Sequence, residues 1–151
     1  MKLITVFFAL VLACSGAFAQ QKIAWETQRV LFMLDIEGKV SLNDEKQFRI
    51  ENEKQFLAGE IVTEESVKGE NPTEFLFKMV SNKEGYELVS KGDAFKTEQG
   101  MKGHYVVASF EKQQTAFAVV FMADSKFPLL LSFNIESEEQ VKKILNNIYK
   151  M

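Results

Sequence analysis

Thr115-Ala116-Phe117-Ala118-Val119-Val120-Phe121-Met122-Ala123 decides the fold. Read as a strand, it puts Phe117, Val119 and Phe121 on one face and Ala116, Ala118, Val120 and Met122 on the other. Both faces are apolar, so the strand must be covered on two sides. Leu129, Leu130, Leu131 and Phe133 repeat the pattern in the next segment. Four such runs follow one another: Tyr86 to Lys91 extending towards Thr97, Lys102 to Glu111, Thr115 to Ala123, and Pro128 to Asn134. Glu98 to Met101, Lys112 to Gln114 and Asp124 to Phe127 are short connections, which makes the segment an antiparallel meander.

Upstream, Val30 to Ile36 and Lys39 to Leu42 read as strands joined at Glu37-Gly38. Lys46 to Glu51 and Gln55 to Glu64 flank Asn52-Glu53-Lys54 as a hairpin, with Phe48, Ile50, Phe56, Ala58 and Val62 at the period-two spacing of an inward face. Asn71-Pro72-Thr73-Glu74 combines a capping side chain, proline at the first helical position and an acid in the first turn, so it starts a helix running to about Asn82. Phe75, Leu76, Met79 and Val80 form its apolar stripe, and Gly85 lies just past its end. Ser137 with Gln140 reads as a capping box opening a helix to about Tyr149, with Val141, Ile144, Leu145 and Ile148 on one side. The expected class is α+β: an antiparallel sheet of about six to eight strands with two helices packed on it, an arrangement that allows one on each face.

The 151 residues, 46% apolar and 26% charged, suit one globular domain, and 14 Phe supply core material. Lys2, the apolar stretch Leu3 to Ala13 and the small-x-small site Ala17-Phe18-Ala19 have the order of a cleaved secretory signal. The domain division is therefore residues 1–19 as signal peptide and 20–151 as a single exported domain, periplasmic or secreted. At about eleven residues the apolar stretch is too short to span a bilayer, and no transmembrane span is expected elsewhere. Val11-Leu12-Ala13-Cys14 also resembles a lipoprotein signal, which would anchor the chain through Cys14 instead.

Cys14 is the one cysteine, so removal of the leader excludes a thiol nucleophile, a redox disulfide and a thiolate zinc site. The formal charge is −3, and since Lys2 is the only charged residue of the leader, the mature chain is one unit more acidic. That disfavours nucleic acid as a partner.

His104 is the sole histidine, which limits both metal and triad chemistry, and no Gly-x-Ser-x-Gly elbow accompanies it. In Gly100-Met101-Lys102-Gly103-His104-Tyr105 the glycines read as hairpin-turn residues, and the strand that follows removes a phosphate-loop reading. Gly103, beside His104 and Tyr105, would let a ligand or partner approach the backbone closely. Phe77, off the helix stripe, and Phe127, in a loop before Pro128, are candidates for an exposed contact surface. The acids, among them Glu60, Glu136, Glu138 and Glu139, read as a solvated surface, the last two also favoured by the helix dipole. No catalytic residue, metal site or cofactor is called for.

The order of hairpin strands, helix, four-stranded meander and C-terminal helix, over most of residues 30–149, resembles the PsbP-like fold family. That family includes photosystem accessory proteins, a Ran-binding nuclear import factor and bacterial envelope lipoproteins. The same order also accommodates cystatin-like and NTF2-like folds, and no functional residue is carried over. The resemblance implies a non-catalytic accessory or binding module, whose partner would be another envelope protein. A second reading is a carrier of an apolar small molecule or lipid, with its pocket between helix and sheet.

Overall fold

The computed structural model describes residues 20–63, 67, 71–123, 125 and 127–151. The leader, with Cys14, lies outside them, as does Glu64 at the end of the expected hairpin. The fold is α+β, with ten strands in two antiparallel sheets and two helices among the described residues. The strands are β1 (Gln21–Trp25), β2 (Val30–Leu34), β3 (Lys39–Asn43), β4 (Gln47–Glu51), β5 (Phe56–Ile61), β6 (Glu87–Lys96), β7 (Lys102–Phe110), β8 (Gln113–Phe121), β9 (Leu129–Ile135) and β10 (Ile148–Lys150). The helices are α1 (Pro72–Asn82) and α2 (Glu139–Asn146). Seven strands form one sheet in the order β3-β4-β5-β9-β8-β7-β6, and β1-β2-β10 form the other.

The quoted apolar segment becomes β8, with Thr115 to Val120 all buried, and it is covered on both faces by different parts of the chain. On the outer face, Leu76 and Val80 of α1 pack on Val106, Ala108, Phe117, Val119 and Leu130. On the inner face, Val141 and Leu145 of α2 join Tyr105, Val107, Ala116, Ala118 and Val120 in a larger core that includes the small sheet. Full burial of such side chains contributes about 1.5 to 3 kcal/mol each. One helix thus lies on each side of the large sheet.

The start of α1 follows its sequence signals: Asn71 Oδ1 accepts from Thr73 N at 3.0 Å, with Pro72 in the first turn. The end of the chain does not. Helix α2 begins at Glu139 without a side-chain cap, and Gln140 Oε1 accepts from Glu136 N at 2.8 Å instead of reaching Ser137. It ends at Asn146, and Ile148 to Lys150 pair with β2. Ile148 continues the helical spacing but is buried as a strand residue opposite Phe32, because closing the small sheet satisfies backbone groups that another helical turn would leave unpaired.

The inward face of β5 also differs from the sequence expectation. Phe48 and Ile50 are buried, but their cross-strand partners are Gly59 and Leu57, while Phe56 and Ala58 point outward and are half-buried. Gly59 is what the small sheet requires: a Cβ there would lie 2.9 Å from Trp25 Cζ3 and 3.1 Å from Leu131 Cδ2. The Trp25 ring occupies that space, stacks on Phe48 at 5.9 Å, and donates from Nε1 to the Asp44 carbonyl at 2.6 Å. Strand β1, which holds Trp25, lies ahead of the first strand expected from the sequence.

Gly59→Val should therefore destabilise the protein by about 1 to 3 kcal/mol in chemical denaturation, as overpacking does. Ala58→Val, one residue away on the open face, should stay within about 0.5 kcal/mol. Equal losses for the two would contradict the register.

Candidate interaction site

The residues singled out around His104 converge on one feature of the edge strand β6. Register shifts between Leu88 and Ser90 and between Ser90 and Asp93 mark bulges in its pairing with β7. Gly92 has φ +62, and a Cβ on it would fall 1.7 Å from the Tyr105 carbonyl oxygen, so only glycine fits there. The Gly92 amide donates to Ser90 Oγ at 3.0 Å. Ser90 Oγ in turn donates to Glu138 Oε1 at 3.1 Å, and the Tyr105 hydroxyl donates to the same oxygen at 2.9 Å. His104 Nε2 lies 3.2 Å from the Lys91 carbonyl.

Together these contacts form a clasp between the bulged strand and the start of α2. Glu138, expected to be a solvated first-turn acid, is its acceptor. Gly103 sits within β7 and not in a turn, and the space beside it belongs to the protein itself: a Cβ would meet the Val119 carbonyl oxygen at 1.8 Å and Phe95 Cζ at 2.8 Å. The close approach that glycine permits is made by neighbouring strands. Phe77 and Phe127 lie apart from this cluster, and both are half-buried instead of exposed. Phe77 packs on the α1 cluster, and the Phe127 carbonyl accepts from Ser125 Oγ at 2.9 Å.

A different surface offers open space. Among the described residues, helix α1 lies mainly against β6, β7 and β8 and its cluster reaches β9 at Leu130, while Ala58 of β5 and Ser132 of β9 stay half-buried on the outer face. A groove of about 230 Å³ runs there over Ala58 and Ser132, with Leu42 and Arg49 along one wall and Lys83 and Phe117 along the other. Arg49 Nε pairs with Glu51 Oε2 at 2.5 Å, and its guanidinium stands 4.9 Å from the centre of the Phe56 ring. The arginine's hydrogen bond holds the Glu51 carboxyl below the ordinary glutamate range. Lys83 Nζ lies 5.8 Å from the centre of the Phe117 ring. Small floor residues between charged and aromatic walls can receive side chains of an extended segment. Alternation along β5 and β9 places Ala58 and Ser132 outward, but how far α1 extends across the sheet depends on tertiary packing.

Among the described residues, no cluster of three or more His, Cys, Asp or Glu could hold a metal, and no helix is long and apolar enough to cross a membrane. No family model matches the chain, and no curated protein matches it in sequence. Two solved structures are similar in chain path. The Ran-binding protein Mog1p of Saccharomyces cerevisiae is 8% identical, with a TM-score of 0.49 over 87% of this chain and 85% of that one. LpqN of Mycobacterium tuberculosis, described as involved in cell envelope biogenesis, is 12% identical, with a TM-score of 0.36 over 80% of this chain and 78% of that one. Both are of the Mog1/PsbP-like fold. Neither likeness assigns a residue or a role to this chain.

The clasp makes a pH prediction. Burial, then the hydrogen bond to Glu138, pushes the Tyr105 hydroxyl up to about 12 from an ordinary value of 10. Because the folded value is the higher, the stabilisation is complete below pH 10 and is lost as the pH rises through about 12. In a spectroscopic titration Tyr105 should ionise late, and Tyr105→Phe should flatten the loss of stability across that window. An unchanged alkaline profile in the variant would contradict the clasp.

Proposed function

We propose that this chain is a non-enzymatic accessory or binding protein of an exported compartment, and that it docks another protein of that compartment across the groove on its outer sheet face. The observation that carries the reading is the groove over Ala58 and Ser132, which lies beside the α1 cluster and is open among the described residues. Its volume of about 230 Å³ is below the ~300 to 1,000 Å³ of small-molecule sites and suits a few side chains of a polypeptide. The layers in which a carrier would hold an apolar ligand are occupied: Leu76 and Val80 fill one and Val141 and Leu145 the other. The sole histidine is engaged with a backbone carbonyl, which favours a structural part for it over a catalytic one.

A photocrosslinking residue at Ser132, introduced in the cells that make the protein, should give one discrete protein adduct. Ala58→Arg should abolish that adduct while shifting the melting temperature by no more than about 3 °C. An adduct that survives Ala58→Arg, or none at all, would refute the docking surface. Export is tested separately by the intact mass of the natively produced chain, which should begin at Gln20. A retained Met1, or a lipid on Cys14, would contradict cleavage after Ala19.

A further inference from the structure

At the turn end of the seven-stranded sheet, on a different surface from the groove, an open cleft of about 910 Å³ is lined by the β4–β5 turn, the β7–β8 turn and the link from β9 into α2. We infer that this cleft binds a neutral oligosaccharide. Six carboxamides line it: Asn52, Gln55, Gln113, Gln114, Asn134 and Gln140. Three of them build its walls. Asn52 Oδ1 accepts from Lys54 N and Gln55 N, each at 2.8 Å, and its amide nitrogen donates to the Glu37 carbonyl at 2.8 Å. Asn134 ties the two strands by accepting from Phe56 N at 2.8 Å and donating to the Lys54 carbonyl at 2.6 Å, while Gln140 accepts from Glu136 N. A wall held in this way is ordered before any ligand arrives.

The other three, Gln55, Gln113 and Gln114, have side chains without a hydrogen-bond partner among the described residues. Each presents an acceptor beside two donors, the match for adjacent hydroxyls that both give and accept hydrogen bonds. The charges at the cleft cancel, Lys54 and Lys112 against Glu53 and Glu136, so neither a phosphate nor a polybasic ligand is favoured. Ile135 is the one large apolar residue of the lining, which leaves no pocket for the aromatic or aliphatic anchors of a protein interface.

A second observation singles out the same end. The β7–β8 turn holds Glu111 at φ 47 and Lys112 at φ 66, a two-residue turn whose conformation suits Asn-Gly and disfavours other side-chain-bearing residues such as Glu and Lys. Lys112, with its backbone in this disfavoured conformation, lines the cleft.

The test is a titration of isotopically labelled protein with chitotetraose and maltotetraose, following side-chain amide resonances by NMR, with the peptide Ser-Gly-Asn-Ser as comparison. One of the sugars should shift Gln113 and Gln114 saturably below about 10 mM, the weak range expected for hydrogen bonding without an apolar anchor. Gln113→Ala with Gln114→Ala should weaken binding by about tenfold or more at unchanged melting temperature. Glu111→Asn with Lys112→Gly should raise the melting temperature yet weaken binding, an outcome that a purely structural turn would not give. The inference is overturned if neither sugar gives a saturable shift, if only the peptide does, or if the shifts persist with equal affinity in the double alanine variant.

Discussion

The Trp25 ring lying on Gly59 is the contact through which two sheets share one core. Strands β1, β2 and β10 are too few and too short to stand alone, and a three-stranded sheet is stable only when its apolar face is covered. Trp25 and Phe32 supply that face, and Phe48, stacked with both, receives it from the large sheet. The ring can reach the sheet because position 59 carries no side chain. Its indole nitrogen then fixes the small sheet to the β3–β4 turn, where Asp44 already accepts from Lys46 N and Gln47 N, bonds that hold its carboxyl below the ordinary aspartate range.

Two consequences follow for the surfaces. The inner side of the large sheet is spent on structure, since the small sheet and α2 both rest on it, and Glu138, accepting from Tyr105 of β7 and Ser90 of β6, secures the edge strand to the same layer. The outer side is only partly covered by the described residues, since the eleven-residue α1 spans about three strands of seven. Adjacent residues of β5 thus belong to different tasks: Gly59 is fixed by packing, and Ala58 floors an open groove. The edge strands β6 and β3, which expose Leu88, Val89 and Val40, both carry register shifts, a feature that discourages unguided strand pairing.

Much of this was legible in the residues. The two-faced apolar run of β8, the meander around it and the Asn71-Pro72 helix start depend on local alternation and capping, which the sequence states directly. What escaped depends on distant partners. Strand β1 is short and half polar, and its strand character comes from pairing with β2; β10 has three residues whose spacing also fits a helix. On β5, counting side chains favoured Phe56 and Ala58 as the inner face, because Gly59 contributes no apolar atom although its position is buried. The space beside Gly103, expected from the sequence to admit a ligand or partner, is taken by the Val119 carbonyl and the Phe95 ring, which only strand pairing reveals. The groove and the clasp require knowing where α1 ends across the sheet and where Glu138 meets Tyr105, which are tertiary facts.

Native-state hydrogen exchange under mild denaturant tests the shared core most directly. Ladder amides of β2 should open with the same free energy as those of β8 and β9, since one core that includes Trp25, Phe32, Ala118 and Leu131 joins them. Exchange of β1, β2 and β10 at a distinctly lower free energy, while β8 and β9 remain protected, would show that the small sheet is a separable layer and would contradict the account.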